Sequence, residues 1–131
     1  MSVIHVNQIK TQIQRIFKDL IDLSDISNSS QESKENFFIS RGLAAYSIYY
    51  LANITPKEAA TSITDGGDDN GIDAIYFDNS NKKLYIVQSK WIRDGIGEPE
   101  NGDVKKFVAG VRDLFNMEYD RFNMKIISKK N

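Results

Sequence analysis

The chain has 131 residues, 40% hydrophobic and 27% charged, with two prolines, the make-up of one ordinary folded domain rather than a disordered or fibrous chain. It contains no cysteine, which excludes disulfide frameworks, thiolate zinc centres and cysteine nucleophiles and suits a reducing, cytoplasmic setting. A formal net charge of −1 gives no global attraction to nucleic acid, so any such binding has to come from local charge.

Val6, Ile9, Ile13, Ile16, Phe17 and Leu20 recur at three- and four-residue steps, which predicts an amphipathic helix from Val3 to about Leu23. No basic flank leads into an unbroken apolar run there, and no later segment approaches membrane-spanning length, so an unexported chain away from membranes is expected. The polar run Ser24 to Ser33 reads as a flexible connector. From Lys34 to Ala52 the helical pattern returns, with Phe37, Phe38, Leu43, Ala44, Ile48 and Leu51 as its expected buried positions. Thr55, Pro56 and Glu58 have the residue types of a helix start, a cap followed by a first-turn proline and a capping-box acid, and a short helix to about Ser62 follows. Asp65 to Gly71 favours turns and left-handed backbone.

Ile72–Asp78 and Lys83–Trp91 are rich in β-branched and aromatic residues, and Asn79-Ser80-Asn81-Lys82 between them is turn chemistry, so a β-hairpin is predicted. After a Gly- and Pro-containing loop around Gly95 to Asn101, Asp103 is placed to cap a last helix bearing Val104, Phe107, Val108, Val111, Leu114 and Phe115, which can cover one face of the sheet. Met124 to Ser128 is one further β-like stretch. Residues 1–33 thus read as an N-terminal helix and linker, and 34–131 as a core that forms the N-terminal part of something longer.

The hairpin carries the chemistry. With its turn centred on Ser80 and Asn81, Asp73 falls opposite Gln88, and Lys90 shares their face, so that opposed β-carbons stand about 5 Å apart. A carboxylate and an amide carbonyl at that separation can both reach a Mg²⁺ ion at about 2.1 Å. Phosphodiester hydrolysis needs a deprotonated water in line with the leaving oxygen and compensation for charge on the phosphoryl oxygens, which a metal ion and a lysine can supply. Asp73 is then the anionic ligand, Gln88 a weaker neutral one, and Lys90 the group that orients water and steadies the transition state.

The phrases Gly71-Ile72-Asp73-Ala74-Ile75 and Gln88-Ser89-Lys90, with the helix start Gly102-Asp103-Val104 and Phe107, resemble the PD-(D/E)xK nuclease superfamily, in the Mrr-like variant with Gln in place of the acidic residue. The resemblance spans about Glu35 to Leu114 and is closest to the N-terminal region of abortive infection phage resistance proteins. It implies an α/β restriction-endonuclease-like core, a mixed central β-sheet flanked by helices, and Mg²⁺ or Mn²⁺ as cofactor. It further implies DNA as substrate, a homodimer, and additional C-terminal domains. The metal ligands it implies are Asp73, Gln88 and the backbone carbonyl of Ser89, with Lys90 as catalytic lysine. It calls for an acid on the preceding helix, for which Glu35 is the best match, because Glu58 has a capping role. Asp69 is a substrate or loop candidate through its place in the family phrase, and Trp91 and Arg93, just past the lysine, are substrate-side candidates by position.

Plainer readings stand beside these. Asp65, Asp68 and Asp69 are ordinary turn residues as well as site candidates. A calcium loop fails on spacing, since the twelfth position from Asp65 or Asp68 is Tyr76 or Asn79 where a glutamate is required. Gly66-Gly67 lacks the Gly-Lys-Ser/Thr ending of a phosphate loop, and His5 is the chain's one histidine, without a second for a metal pair. Tyr46, Tyr49 and Tyr50 read as structural, and Lys82 and Lys83 as a solvated turn.

Overall fold

The computed structural model describes residues 3–65, 71–93, 96–97 and 100–116. In chain order these form helix α1 (Val3–Phe17), a 3₁₀ turn (Ser24–Ile26), α2 (Gln31–Ala52), α3 (Pro56–Thr61), strands β1 (Ala74–Asp78) and β2 (Lys83–Val87), and α4 (Asn101–Phe115). No described helix is long and apolar enough to cross a membrane.

Helix α1 buries Val6, Ile13 and Phe17, one stripe at seven- and four-residue steps. It stops at Phe17, short of Leu23, because Asp19 takes a left-handed conformation (φ 62°) that a right-handed helix cannot continue. Leu20, which periodicity puts on the apolar face, is therefore exposed. Ser30 caps α2, its Oγ accepting from the Ser33 amide at 3.1 Å, so this helix begins ahead of Lys34. The connector is also more ordered than its composition suggests, since the Asp25 carboxylate in its 3₁₀ turn is ion-paired to Arg41 of α2. Small residues let the helices approach: a Cβ on Gly42 would collide with Ile13 Cγ2 of α1. Ile13, Phe17, Ala44, Ile48, Ala59 and Ala74 share one core, so α1 packs in the same unit as α2, α3 and β1.

Asn53 ends α2 in the left-handed region at φ 55°, a conformation that asparagine tolerates better than most residues. Thr55 then caps α3 as its residue type predicts, accepting from the Glu58 amide at 3.2 Å and donating to the Glu58 carboxylate at 3.0 Å, with Pro56 in the first turn.

β1 and β2 pair antiparallel in the predicted register, from Asp78 opposite Lys83 to Ala74 opposite Val87. The ladder is shorter than predicted, because the Asp73 amide donates to the Val87 carbonyl (2.8 Å) while the Asp73 carbonyl turns away to accept from Thr64 (2.8 Å) and Asp65 (3.1 Å). Among the described residues the sheet has these two strands, plus an isolated bridge between Ile63 and Ala74. Where a mixed central sheet is expected, the described residues form a small antiparallel one, and the stretch Met124 to Ser128 lies outside them. Alternation along the hairpin presents Ala74, Tyr76, Tyr85 and Val87 to the α2 core. It presents Ile75 and Ile86 to Phe107, Val111 and Leu114 of α4. The result is an α/β arrangement, a hairpin with a helix layer on each face.

Helix α4 starts at Asn101 behind Glu100, whose side chain makes no capping hydrogen bond. Asp103 is therefore not the cap but a first-turn residue, where a carboxylate complements the helix dipole. Val104 and Val108, included in the predicted apolar set, face solvent, as do Phe37 and Leu51 of α2, both expected to be buried.

Candidate functional site

Asp73 sits where the hairpin meets the chain arriving from α3. Its backbone is fixed on both sides by the bonds just described, and its carboxylate Oδ2 accepts from the Ser89 amide at 2.8 Å. Thr64, wholly buried, secures the same crossing by donating its hydroxyl to the Ile72 carbonyl at 2.9 Å. The carboxylate thus faces the residues that leave the end of β2. Gln88 is next to it, and its Nε2 donates to the Asp103 carbonyl in the first turn of α4 at 2.9 Å. That bond uses the donor end of the amide and leaves Oε1 as the end available to a ligand.

These residues line one cleft of about 210 Å³, with Asp73, Gln88, Ser89 and Lys90 on the hairpin side and Asp103 and Lys106 on α4. Gly71 completes its wall at φ 80°, and a Cβ there would stand 2.9 Å from the backbone of Lys106 and Phe107. The loop and α4 therefore meet at a distance only glycine allows. A second recess, of about 260 Å³, adjoins on the α2 side. Asp73, Ser89 and Lys90 line it too, joined by Asp65, Trp91 and Ser40. Asp73 and Lys90 stand at the junction of the two.

Beneath this recess lies Arg41, 1% exposed. Its guanidinium donates to Asp65 Oδ2 at 2.9 Å, to both carboxylate oxygens of Asp25 at 2.7 and 2.8 Å, and to the Asp22 carbonyl at 2.9 Å. Burial works against the charge, but the hydrogen bonds and attraction from Asp25 and Asp65 outweigh it and raise the pKa above the ordinary arginine value. The Phe37 ring lies 5.1 Å from the guanidinium carbon, within cation–π range. Asp65 is thereby anchored from below.

Of the residues singled out from sequence, Asp73, Gln88, Ser89 and Lys90 come together. Glu35 does not join them. It is exposed and lines a separate cleft between α1 and α2, whereas α2 presents Phe37 and Ser40 to the recess that contains Asp73. Helical phase turns Glu35 away from the recess that contains Asp73, so this acid does not line it. Trp91 lines both the recess and that separate cleft. Asp69 lies outside the described residues.

Sequence reasoning does not foresee Lys106 or the Gln88–Asp103 contact, which depend on how α4 docks. Arg41 leaves a trace, a charge within the stripe Ile39, Ala44, Ala45 and Ile48, which requires a carboxylate partner. Among the described residues no group of three or more His, Cys, Asp or Glu side chains is placed to hold a metal. The oxygen-bearing side chains that line the cleft together are the Asp73 carboxylate and the Gln88 amide, donors of the type hard divalent cations take, while the Ser89 amide donates to Asp73 Oδ2. With Lys90 and Lys106 beside them, the cleft suits a cation together with a phosphate.

No protein-family model matches the chain, and no curated protein or solved structure matches it.

Proposed function

We propose that this domain is a Mg²⁺-dependent endonuclease with a restriction-endonuclease-like core of the PD-(D/E)xK kind, hydrolysing DNA phosphodiester bonds in a cytoplasmic, prokaryotic abortive-infection defence. The observation that carries the reading is that Asp73, Gln88 and Lys90 line a single cleft. The helix layer on each face of the hairpin is compatible with such a core.

Asp73, Gln88 and the Ser89 carbonyl would hold the ion, with Mn²⁺ able to replace Mg²⁺ on the same oxygen donors. The ion would supply Lewis-acid polarisation of the phosphate and a lowered pKa for water. Lys90, exposed at the rim, carries the ammonium that neutralises charge developing on the phosphoryl oxygens. Lys106 faces it from α4 and meets a neighbouring phosphate. Gln88, tied through Nε2 to Asp103, keeps its carbonyl end oriented. A second copy of the chain and further C-terminal domains would supply the remaining DNA contacts.

The test is nicking of supercoiled plasmid with and without Mg²⁺, for the parent and Lys90→Ala. Cleavage should require the ion and vanish in the variant, while circular dichroism stays unchanged. Cleavage that survives in Lys90→Ala sinks the assignment. A second reading, a non-cutting nucleic-acid-binding module of a larger defence protein, is favoured by the absence of a three-acid metal group among the described residues. Its signature is intact plasmid with either ion, together with a DNA affinity that falls steeply with salt.

A further inference from the structure

The cleft that receives Glu35 is an open one of about 720 Å³ between α1, the first half of α2 and the segment following β2. Its volume is that of a ligand site. Two of its wall residues, Ser40 and Trp91, also line the recess that contains Asp73 and Lys90, so a chain lying in one space can continue into the other. Lys10 from α1, Lys34 from α2 and Arg93 beyond β2 bring three cations to its wall against two acids, Glu32 and Glu35. In a chain whose net charge is −1, this is a local positive excess leading to the hairpin site.

Trp91 marks the passage. It is partly exposed, lies one residue after Lys90, and packs at the edge of the α2 core, so its ring is held in place while one part of it remains accessible. A held aromatic beside a track of cations is the arrangement that binds single strands, whose bases are free to stack on a side chain. In a duplex the bases are already stacked on each other, and a concave space of ligand size does not admit the double helix.

We infer that this cleft binds an unpaired stretch of nucleic acid, with a base stacked on Trp91 and phosphates on Lys10, Lys34 and Arg93. The inference rests on the nuclease reading for cleavage alone and deepens it, naming a single-stranded segment as what is fed to Asp73 and Lys90.

Trp91 is the only tryptophan in the chain, so its emission reports the cleft directly. The full chain is titrated at low salt, without divalent ion, with oligodeoxythymidylate, with oligouridylate and with a hairpin duplex of matched length. A single strand should quench Trp91 saturably and bind at least about tenfold tighter than the duplex, given the worth of one stacked base. The DNA and RNA arms show which sugar is preferred. Three phosphate contacts give a log–log salt slope of about −2. Replacing Lys10, Lys34 and Arg93 together with alanine should flatten it at unchanged circular dichroism. Measured by anisotropy of a labelled strand, Trp91→Ala should weaken binding about tenfold and Trp91→Phe should largely restore it. Emission unmoved by single strands, or a duplex that binds equally well, overturns the inference. Plasmid cleavage without a Trp91 response removes this inference and leaves the nuclease reading. A Trp91 response with no Mg²⁺-dependent cleavage of either the plasmid or a labelled single strand does the reverse.

Discussion

Replacing Arg41 with methionine removes the cation that joins the 3₁₀ turn, α2 and the start of the loop at Asp65. Taking one partner from a buried ion pair costs about 3–5 kcal/mol, because the remaining charges are left uncompensated. Here the side chains of Asp25 and Asp65 are 38% and 22% exposed, so water reaches both carboxylates once the guanidinium is gone. The loss then belongs at the lower end, about 3 kcal/mol. Methionine retains much of the buried volume, which keeps any cavity contribution small. In a domain of this length that loss lowers Tm by roughly 10 °C. The assay is urea unfolding followed by far-UV circular dichroism, with the midpoint shifted and the slope unchanged. Arg41→Lys keeps the charge but not the fork that serves two carboxylates, and should fall between parent and Arg41→Met. A loss under about 1 kcal/mol would refute the reasoning, since it would rank this buried pair with solvent-exposed salt bridges.

Gly71→Ala places a Cβ in left-handed backbone 2.9 Å from the chain at Lys106 and Phe107; it should cost about 2–4 kcal/mol and slow any cleavage, and an unchanged melting curve would contradict the close approach. Gln88→Glu loses the donor to the Asp103 carbonyl, so stability should fall by about 1 kcal/mol. On the proposed function the added carboxylate should also tighten Mg²⁺ binding in calorimetry, and a weaker affinity would count against Gln88 as a ligand. Asp78 is held below the usual carboxylate range, chiefly by the hydrogen bond from the Asn81 side chain and then by the Asn81 amide. Because the folded value lies below the unfolded one, this stabilisation is complete above about pH 3.9 and is lost as pH falls through the lower folded value. Carboxyl NMR should show the Asp78 midpoint rising in Asn81→Ala, and equal midpoints would dismiss the explanation.

The hairpin was legible because its information is local. Turn residues at 79–82 and β-branched strands define a register that puts Asp73 against Gln88, and no distant contact has to be known. The end of α1 was not legible, since the apolar spacing runs on through Leu20 while the backbone reverses at Asp19. Asp103 has the composition of a helix cap, but the chain begins α4 earlier and uses the Asp103 carbonyl to receive Gln88, a tertiary contact without local trace. Glu35 failed for a related reason. Its position on a helix follows from periodicity, but the face it shares depends on how α2 rotates against α1, which is set at Gly42 and Ile13.

The multiple anchoring of Asp73 bears on how the site can be dissected. Its amide, carbonyl and carboxylate each hold a different part of the chain: β2, the Thr64–Asp65 crossing and the Ser89 amide. An alanine at 73 would therefore be a poor control for loss of chemistry, because it also unfastens Ser89 and relaxes the strand exit, and silence in an assay would have two origins. Lys90 is the cleaner handle, standing at the rim where truncation takes away a charge and little else.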